Sequence, residues 1–308
     1  MAVSQDRRVR PFVGVWDTHL HILDPQNFPY AENRTYTPAP ALWEDLLNQS
    51  VAAHFLVVQA SVENGHSGLL TQLARLGWQY PGHIFRAEVV YEEISPQQSD
   101  QWSSDHLEAL HQAGVRCLRL RNPKSASIDD IVSEVGTLLH GRLGQIARQK
   151  GWAIAMQLPL QAWAGLTPTI EHILRSNTKV IAEHIAGITF PLSPASVSAL
   201  DIFANVLRRH KNLYVKLGAL HRRVHRSSDD AADQLRDCVR EIADAAGPAN
   251  LLWGSDWPHV DSRPGQWGVE NPHLLVDEAK ELEVLWDWLE EEQMEAMLVG
   301  NPMKLFGW

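Results

Sequence analysis

Apolar residues in this chain fall into short continuous runs separated by longer amphipathic stretches. Eight runs read as strands: "FVGVWD" (12–17), "HFLVVQA" (54–60), "IFRAEVV" (84–90), "VRCLRLR" (115–121), "AIAMQL" (153–158), "KVIAEH" (179–184), "LYVKLG" (213–218) and "LLWGSD" (251–256). Most are continuously apolar rather than alternating, as expected of strands covered on both faces of a parallel sheet. Between them, "HSGLLTQLARLGWQY", "SDHLEALHQAG", "IDDIVSEVGTLLHGRLGQIARQKG" and "ASVSALDIFANVLRRHKN" carry helical spacing, and "DDAADQLRDCVREIADAAGP" ends in a Gly-Pro stop. After the eighth run come "NPHLLVDEAKELEVLWDWL" and a terminal helix near 290–298. Strands alternating with helices make βαβ units, and eight of them close a (β/α)8 TIM barrel. The repeat is even and no linker interrupts it, so residues 1–308 read as a single domain. An open doubly wound sheet is the alternative, but no GxGxxG follows the first strand.

The bulk numbers agree with an ordinary globular α/β chain: 308 residues, 44% hydrophobic and 21% charged. A formal charge of −10 argues against nucleic acid as a partner. An acidic chain still holds a small anion where its cations are gathered locally. Cys117 and Cys238 lack zinc or redox spacing and read as buried, reduced thiols. No apolar run reaches membrane length and no secretory leader is legible, so a cytoplasmic protein without membrane contact is expected. The oligomeric state is not readable.

In a barrel of this class the site lies at the C-terminal ends of the strands. The first run ends in Asp17, His19 and His21, the second in Gln59 and Ser61. The fourth carries Arg116, Arg119 and Arg121, with Lys124 just beyond. Gln157 ends the fifth, and Glu183 and His184 the sixth. His221, Arg222 and Arg223 follow the seventh, and Asp256, Trp257, Pro258 and His259 end the eighth. Residues two apart on a strand share a face, so His19 and His21 aim together into the barrel mouth, as do Arg119 and Arg121. Arg116 has the opposite parity and reads as a structural, ion-paired residue. Asp17 reads as a turn-orienting group, and His259 as either a supporting or a peripheral residue. Gln59 and Gln157 are either substrate hydrogen-bonders or polar groups of the barrel core.

Of the twelve tryptophans, Trp16, Trp152, Trp253, Trp286 and Trp288 read as core. Trp257 and Trp267 flank a long Gly- and Pro-containing loop that would overhang the mouth, a position from which Trp267 could stack on a substrate.

HxH at the first strand, a histidine at the sixth and an aspartate at the eighth resemble the amidohydrolase superfamily. More narrowly, "WDTHLHILDP", "GVRCLRLR", "AEHIAG", "VKLGALHRR", "LLWGSDWPH" and "NPMKLFGW" resemble the amidohydrolase-2 branch that includes 2-pyrone-4,6-dicarboxylate lactonase and sugar lactonases. The resemblance spans nearly the whole chain. It implies a metal-independent, catabolic lactonase that opens a carboxylated pyrone or a sugar-acid lactone. Asp256 would activate water, while His19, His21 and His184 polarise the carbonyl. Arg119, Arg121 and Arg222 would grip substrate carboxylates, with Gln59, Gln157, His221, Trp257 and Trp267 completing the substrate site. His221 replaces an aromatic of the family pattern, which leaves the individual lactone open.

Arginines at the fourth strand and Gln157 at the fifth replace the bridging ligand and histidine that a two-metal amidohydrolase needs, since arginine is permanently protonated. No metal is favoured; the alternative is one zinc on His19, His21, His184 and Asp256. Rival readings are a mononuclear zinc decarboxylase or hydratase of an aromatic or unsaturated acid, a lactone isomerase, and a non-catalytic barrel that binds a small acid.

Overall fold

Parallel strand pairing runs without interruption through all eight strands in chain order. The computed structural model describes residues 12–92, 102–121, 127–223, 229–263, 265 and 269–308. The strands are β1 (Trp16–Leu20), β2 (His54–Val58), β3 (Phe85–Val90), β4 (Val115–Leu120), β5 (Ala153–Met156), β6 (Lys179–Ala182), β7 (Leu213–Leu217) and β8 (Leu251–Trp253). The helices are α1 (Trp43–Leu47), α2 (Ser67–Gln79), α3 (Ser104–Gln112), α4 (Ile128–His140), α5 (Arg142–Lys150), α6 (Leu160–Gly165), α7 (Thr167–Arg175), α8 (Pro194–Arg209), α9 (Asp229–Ala246), α10 (Glu278–Trp288), α11 (Glu291–Glu295) and α12 (Asn301–Phe306). The order is that of a (β/α)8 barrel. The ring closes between β1 and the segment after β8: Asp256 N–H donates to His19 O at 2.7 Å, His21 N–H to Trp257 O at 2.8 Å, and Thr18 Oγ1 to Trp253 O at 2.6 Å. None of the described helices is long and apolar enough to cross a membrane.

Three features depart from the sequence reading. The first strand begins at Trp16 rather than 12, because Gly14 takes a left-handed φ of +80° and ends the apolar run as a turn. Its polar members Asp17, Thr18 and His19 are fully buried, so hydropathy alone misses them. The helical stretch at 128–151 is two helices, broken at Gly141. The terminal helix continues past 298 through a π turn at Ala296–Gly300 into α12.

Inside the barrel two layers differ in kind. At the bottom, Trp16, Leu56, Cys117, Ala155, Ile181, Tyr214 and Leu252 pack with Leu305 and Phe306 of α12 into a plug. Two residues further along the strands stand Glu88, Arg119, Glu183 and Lys216, all buried. Alternation along the strand places them one layer above the apolar plug, directly under the mouth. Outside the barrel, apolar faces of the helices cover the other parity of every strand. Cys117 and Cys238 are both free and buried. Arg116 is structural, as its parity predicts. Its partners, however, are the carbonyls of Trp308, His111 and Val115 and the Trp308 ring at 4.5 Å, not a carboxylate.

Candidate active site

The backbone bends sharply where the strands deliver polar side chains. His184, Ile185 and Ala186 after β6, Ala219 after β7, and Asp256 and His259 after β8 all have left-handed φ between 49° and 64°. Each such residue stores about 1–3 kcal/mol of strain, which the surrounding barrel must hold. Two glycines let these ends crowd together. A Cβ at Gly218 would lie 2.1 Å from Gly254 O, and one at Gly254 would lie 2.5 Å from His19 Cβ. Gly254→Ala is therefore expected to cost about 1–3 kcal/mol and to displace His19. Chemical denaturation measures the cost, and an unchanged midpoint would show that the β1–β8 seam yields freely.

Asp256 sits at the centre. Its Oδ1 lies 3.5 Å from both His19 Nε2 and His21 Nε2, and its Oδ2 receives Arg222 Nε. Burial alone would push this carboxyl up. The Arg222 guanidinium, the His21 contact and the nearby His184 and His19 more than offset that and hold it well below the usual carboxylate range. Burial lowers His19 to about 3 and takes His184 well below the ordinary imidazole value, so both are neutral rings. Their centroids are 4.6 Å apart. His21 points Nδ1 at Val58 O, 2.7 Å away; that donation leaves its Nε2 for Asp256. Asp17 orients the turn. It accepts from His19 N–H and from both the N–H and Oγ of Ser255, tying β1 to the β8 end.

Beneath Asp256 lies the charged layer. Lys216 Nζ reaches Glu88 Oε2 at 2.9 Å, Glu183 Oε1 at 3.5 Å and His19 Nδ1 at 3.3 Å. Arg119 Nε donates to Glu183 Oε2 at 3.1 Å and lies 3.5 Å from Glu88 Oε1. Burial raises Glu88 despite Lys216. In Glu183 burial is overcome by Arg119, His19 and Lys216, and the carboxyl stays low. The sequence reading passed over Lys216 and Glu88. The available signal was a single charge, Lys216, in the otherwise apolar β7, and Glu88 on the inward face of β3, which also carries Arg86.

Above Asp256 opens a cavity of about 530 Å³. His21, Arg119, Arg121, Gln157, His184, Arg222 and Asp256 line it, as their strand positions predict. Arg223, Tyr36 and Ser61 line it too. Tyr36 comes from the excursion after β1, which carries no motif, and its hydroxyl meets Ser61 Oγ at 2.7 Å.

Several expected substrate contacts lie elsewhere. His19 sits behind Asp256 with 1% exposure. Gln59 spends its amide on Gly65 O and Val90 N–H, bracing the β2 and β3 ends. His221 turns to Glu281 on α10, and Trp257 lines a separate cavity on the far side of the β8 loop with Pro258 and His259. Glu278 Oε1 lies 3.3 Å from His259 Nε2. Lys124 and Trp267 lie outside the described residues.

Among the described residues, two groups have donor atoms within 4.8 Å of one another: His19, His21 and Asp256, and His19, Glu183 and His184. The first matches a metal-ligand set. His21 Nδ1 is fixed by a carbonyl, as second partners of ligating histidines are, and the buried His19 Nε2 has no hydrogen-bond partner. His184 falls in the second group rather than beside His21 and Asp256.

Residues 16–308 match the family model described as Amidohydrolase. The chain belongs to the amidohydrolase family. Within this family it is 27% identical to the 4-sulfomuconolactone hydrolase of Rhizobium radiobacter, over 96% of this chain and 90% of that one. It is 25% identical to the 2-pyrone-4,6-dicarboxylate hydrolase of Comamonas testosteroni, over 95% and 90%. A crystal structure of a candidate 2-pyrone-4,6-dicarboxylic acid hydrolase from Pseudomonas putida shares the fold, with a TM-score of 0.69 at 20% identity over 96% and 98% of the two chains.

Proposed function

We propose that this amidohydrolase opens the ring of a lactone that carries an anionic substituent. The observation that carries the proposal is the environment of Asp256. It is an ionised carboxylate at the floor of a cavity whose described lining includes four arginines and no other carboxylate. An anionic substrate is drawn to such a cavity, and a permanently charged acid is kept from the rest of its wall. The lactone hydrolases among the relatives, matched over nearly the full chain, support the same reading.

The residues divide the chemistry as follows. Arg222, Arg223 and Arg121 bind the substrate anion. Arg223 is the least committed of them. It donates to Ile188 O, has no carboxylate partner among the described residues, and has a buried Nε without a partner. Water attacks the lactone carbonyl, and Asp256 Oδ2 takes its proton. A carboxylate held this low is a weak base, so the transfer requires Arg222 to shift toward the substrate anion as the carbonyl becomes polarised. The C–O bond of the ring then breaks, and Asp256 returns the proton to the departing oxygen. His19 and His184, being neutral, act as hydrogen-bonding or ligating groups and not as cations.

The His19, His21 and Asp256 Oδ1 set fits one zinc ion, and the two Nε2 atoms facing a carboxylate favour that over the metal-independent expectation. When bound, the ion would serve as a Lewis acid toward the lactone carbonyl. Elemental analysis of the purified protein is expected to find one zinc per chain, lost in His21→Ala. Metal-free protein with full, chelator-insensitive turnover would return the chemistry to the side chains alone.

The reading as a whole is tested on a panel of lactones with and without a carboxylate or sulfonate. Turnover confined to the anionic members is expected. Equal turnover of neutral lactones, or none of any, would overturn it.

A further inference from the structure

Helix α10 lies outside the barrel and lines no part of the Asp256 cavity, yet it meets two of the loops that build it. Glu278 and Glu281 are one turn apart and so share a face of the helix. Glu281 receives three donors from the β7 loop. They are the Leu220 N–H at 3.2 Å, the His221 N–H at 2.9 Å and His221 Nδ1 at 2.8 Å. The first two are N–H groups at the start of the short 3-10 turn Leu220–Arg222, which has no side-chain cap of its own. A carboxylate from another element therefore caps the turn. The next two residues are the cavity arginines: Arg222, directed at Asp256, and Arg223.

On the β8 loop Glu278 Oε1 lies 3.3 Å from His259 Nε2 without a hydrogen bond, and the His259 N–H donates to Asp256 O at 2.9 Å. The two histidines meet edge to face, with centroids 5.1 Å apart. Leu282 and Leu285 anchor α10 in the core, so its carboxylates are presented from a fixed support.

We propose that Glu281 is a positioning residue: by capping the Leu220–Arg222 turn it sets where Arg222 and Arg223 present their guanidinium groups relative to Asp256. This role for Glu281 rests on the substrate-anion reading for its effect on kinetics, but not for its effect on geometry. The turn is closed by its own bonds, Arg222 N–H to Ala219 O at 3.0 Å and Arg223 N–H to Leu220 O at 2.9 Å, and Glu281 takes up the two N–H groups left at its start.

The test is a pair of crystal structures, of the wild type and Glu281→Ala, with Glu281→Gln as the milder variant should the alanine protein not fold. The account expects the Arg222 Nε contact with Asp256 to be lost in Glu281→Ala and largely kept in Glu281→Gln, whose amide oxygen still accepts an N–H. An unmoved Arg222 in both variants overturns the proposal whatever the protein's activity. The kinetic counterpart is a double-mutant cycle on an anionic lactone. Glu281→Ala should raise KM by about tenfold with kcat changed less, and should add little to Arg222→Lys while adding fully to Arg121→Lys. Full additivity with Arg222→Lys would also sink it. If no lactone is turned over by the wild type, the functional reading fails alone and the structures still decide the positioning claim.

Discussion

Asp256→Asn is expected to lower kcat on an anionic lactone by about a thousandfold, the range for removing a positioned general base. Asparagine matches aspartate in size but has no oxygen basic enough to take the water proton. KM should not rise. Arg222 contacts Asp256 in the native protein; on the proposed reading it also binds the substrate anion, and the neutral side chain would release it for that role. Steady-state kinetics separate the two constants. Turnover within tenfold of wild type would remove Asp256 as the base.

Lys216→Met is expected to have the largest effect on stability. Lys216 is 2% exposed and stands between two buried carboxylates and His19. Methionine fills its volume but leaves Arg119 as the one cation beside Glu88 and Glu183 among the described residues, with the neutral His19 Nδ1 still 3.2 Å from Glu183 Oε1. Breaking a buried pair on one side costs about 3–5 kcal/mol.

The loss should also depend on pH. Burial already raises Glu88 above its ordinary value, and loss of Lys216 raises it further. A carboxyl whose folded value is raised is favourable below its unfolded value, and that favour is lost as pH rises through the folded value. The deficit of Lys216→Met should therefore widen from about pH 5 to about pH 8, as Glu88 is forced to ionise without its partner. Denaturant titrations at the two ends of that range measure it. A small deficit that does not vary with pH would mean that the layer beneath Asp256 is held by packing rather than by charge pairing.

Both results bear on how the site is read from sequence. Strand parity is a strong constraint, and residues fixed by it were legible: His21, Arg119 and Arg121 reach the cavity because they lie on the inward side of strands or their immediate ends. Asp256 and His184 were legible from the motifs that carry them. The charged layer was legible in principle, since Lys216 and Glu88 interrupt apolar runs at inward positions. A single charge in such a run is readily passed over as a strand end.

What parity does not govern was misplaced. His221 and Trp257 follow strands, in segments whose direction is set by left-handed residues such as Ala219 and Asp256 and by partners distant in sequence. Glu281 lies 60 residues from His221, and no local pattern links them. Gln59 stands at the correct height, but two backbone groups claim its amide first. Ser61 reaches the cavity from the end of the second run, where it was read, whereas Tyr36 is brought there by an irregular excursion with no periodicity to read.

The central claim is that water opens a lactone ring at Asp256. The most direct test is to run the reaction of an anionic lactone in water labelled with heavy oxygen and weigh the product. The account predicts one labelled oxygen, located in the newly formed carboxylate, and labelled product formed about a thousandfold more slowly with Asp256→Asn. A product of unchanged mass would mean that the ring is rearranged rather than hydrolysed, and would contradict it.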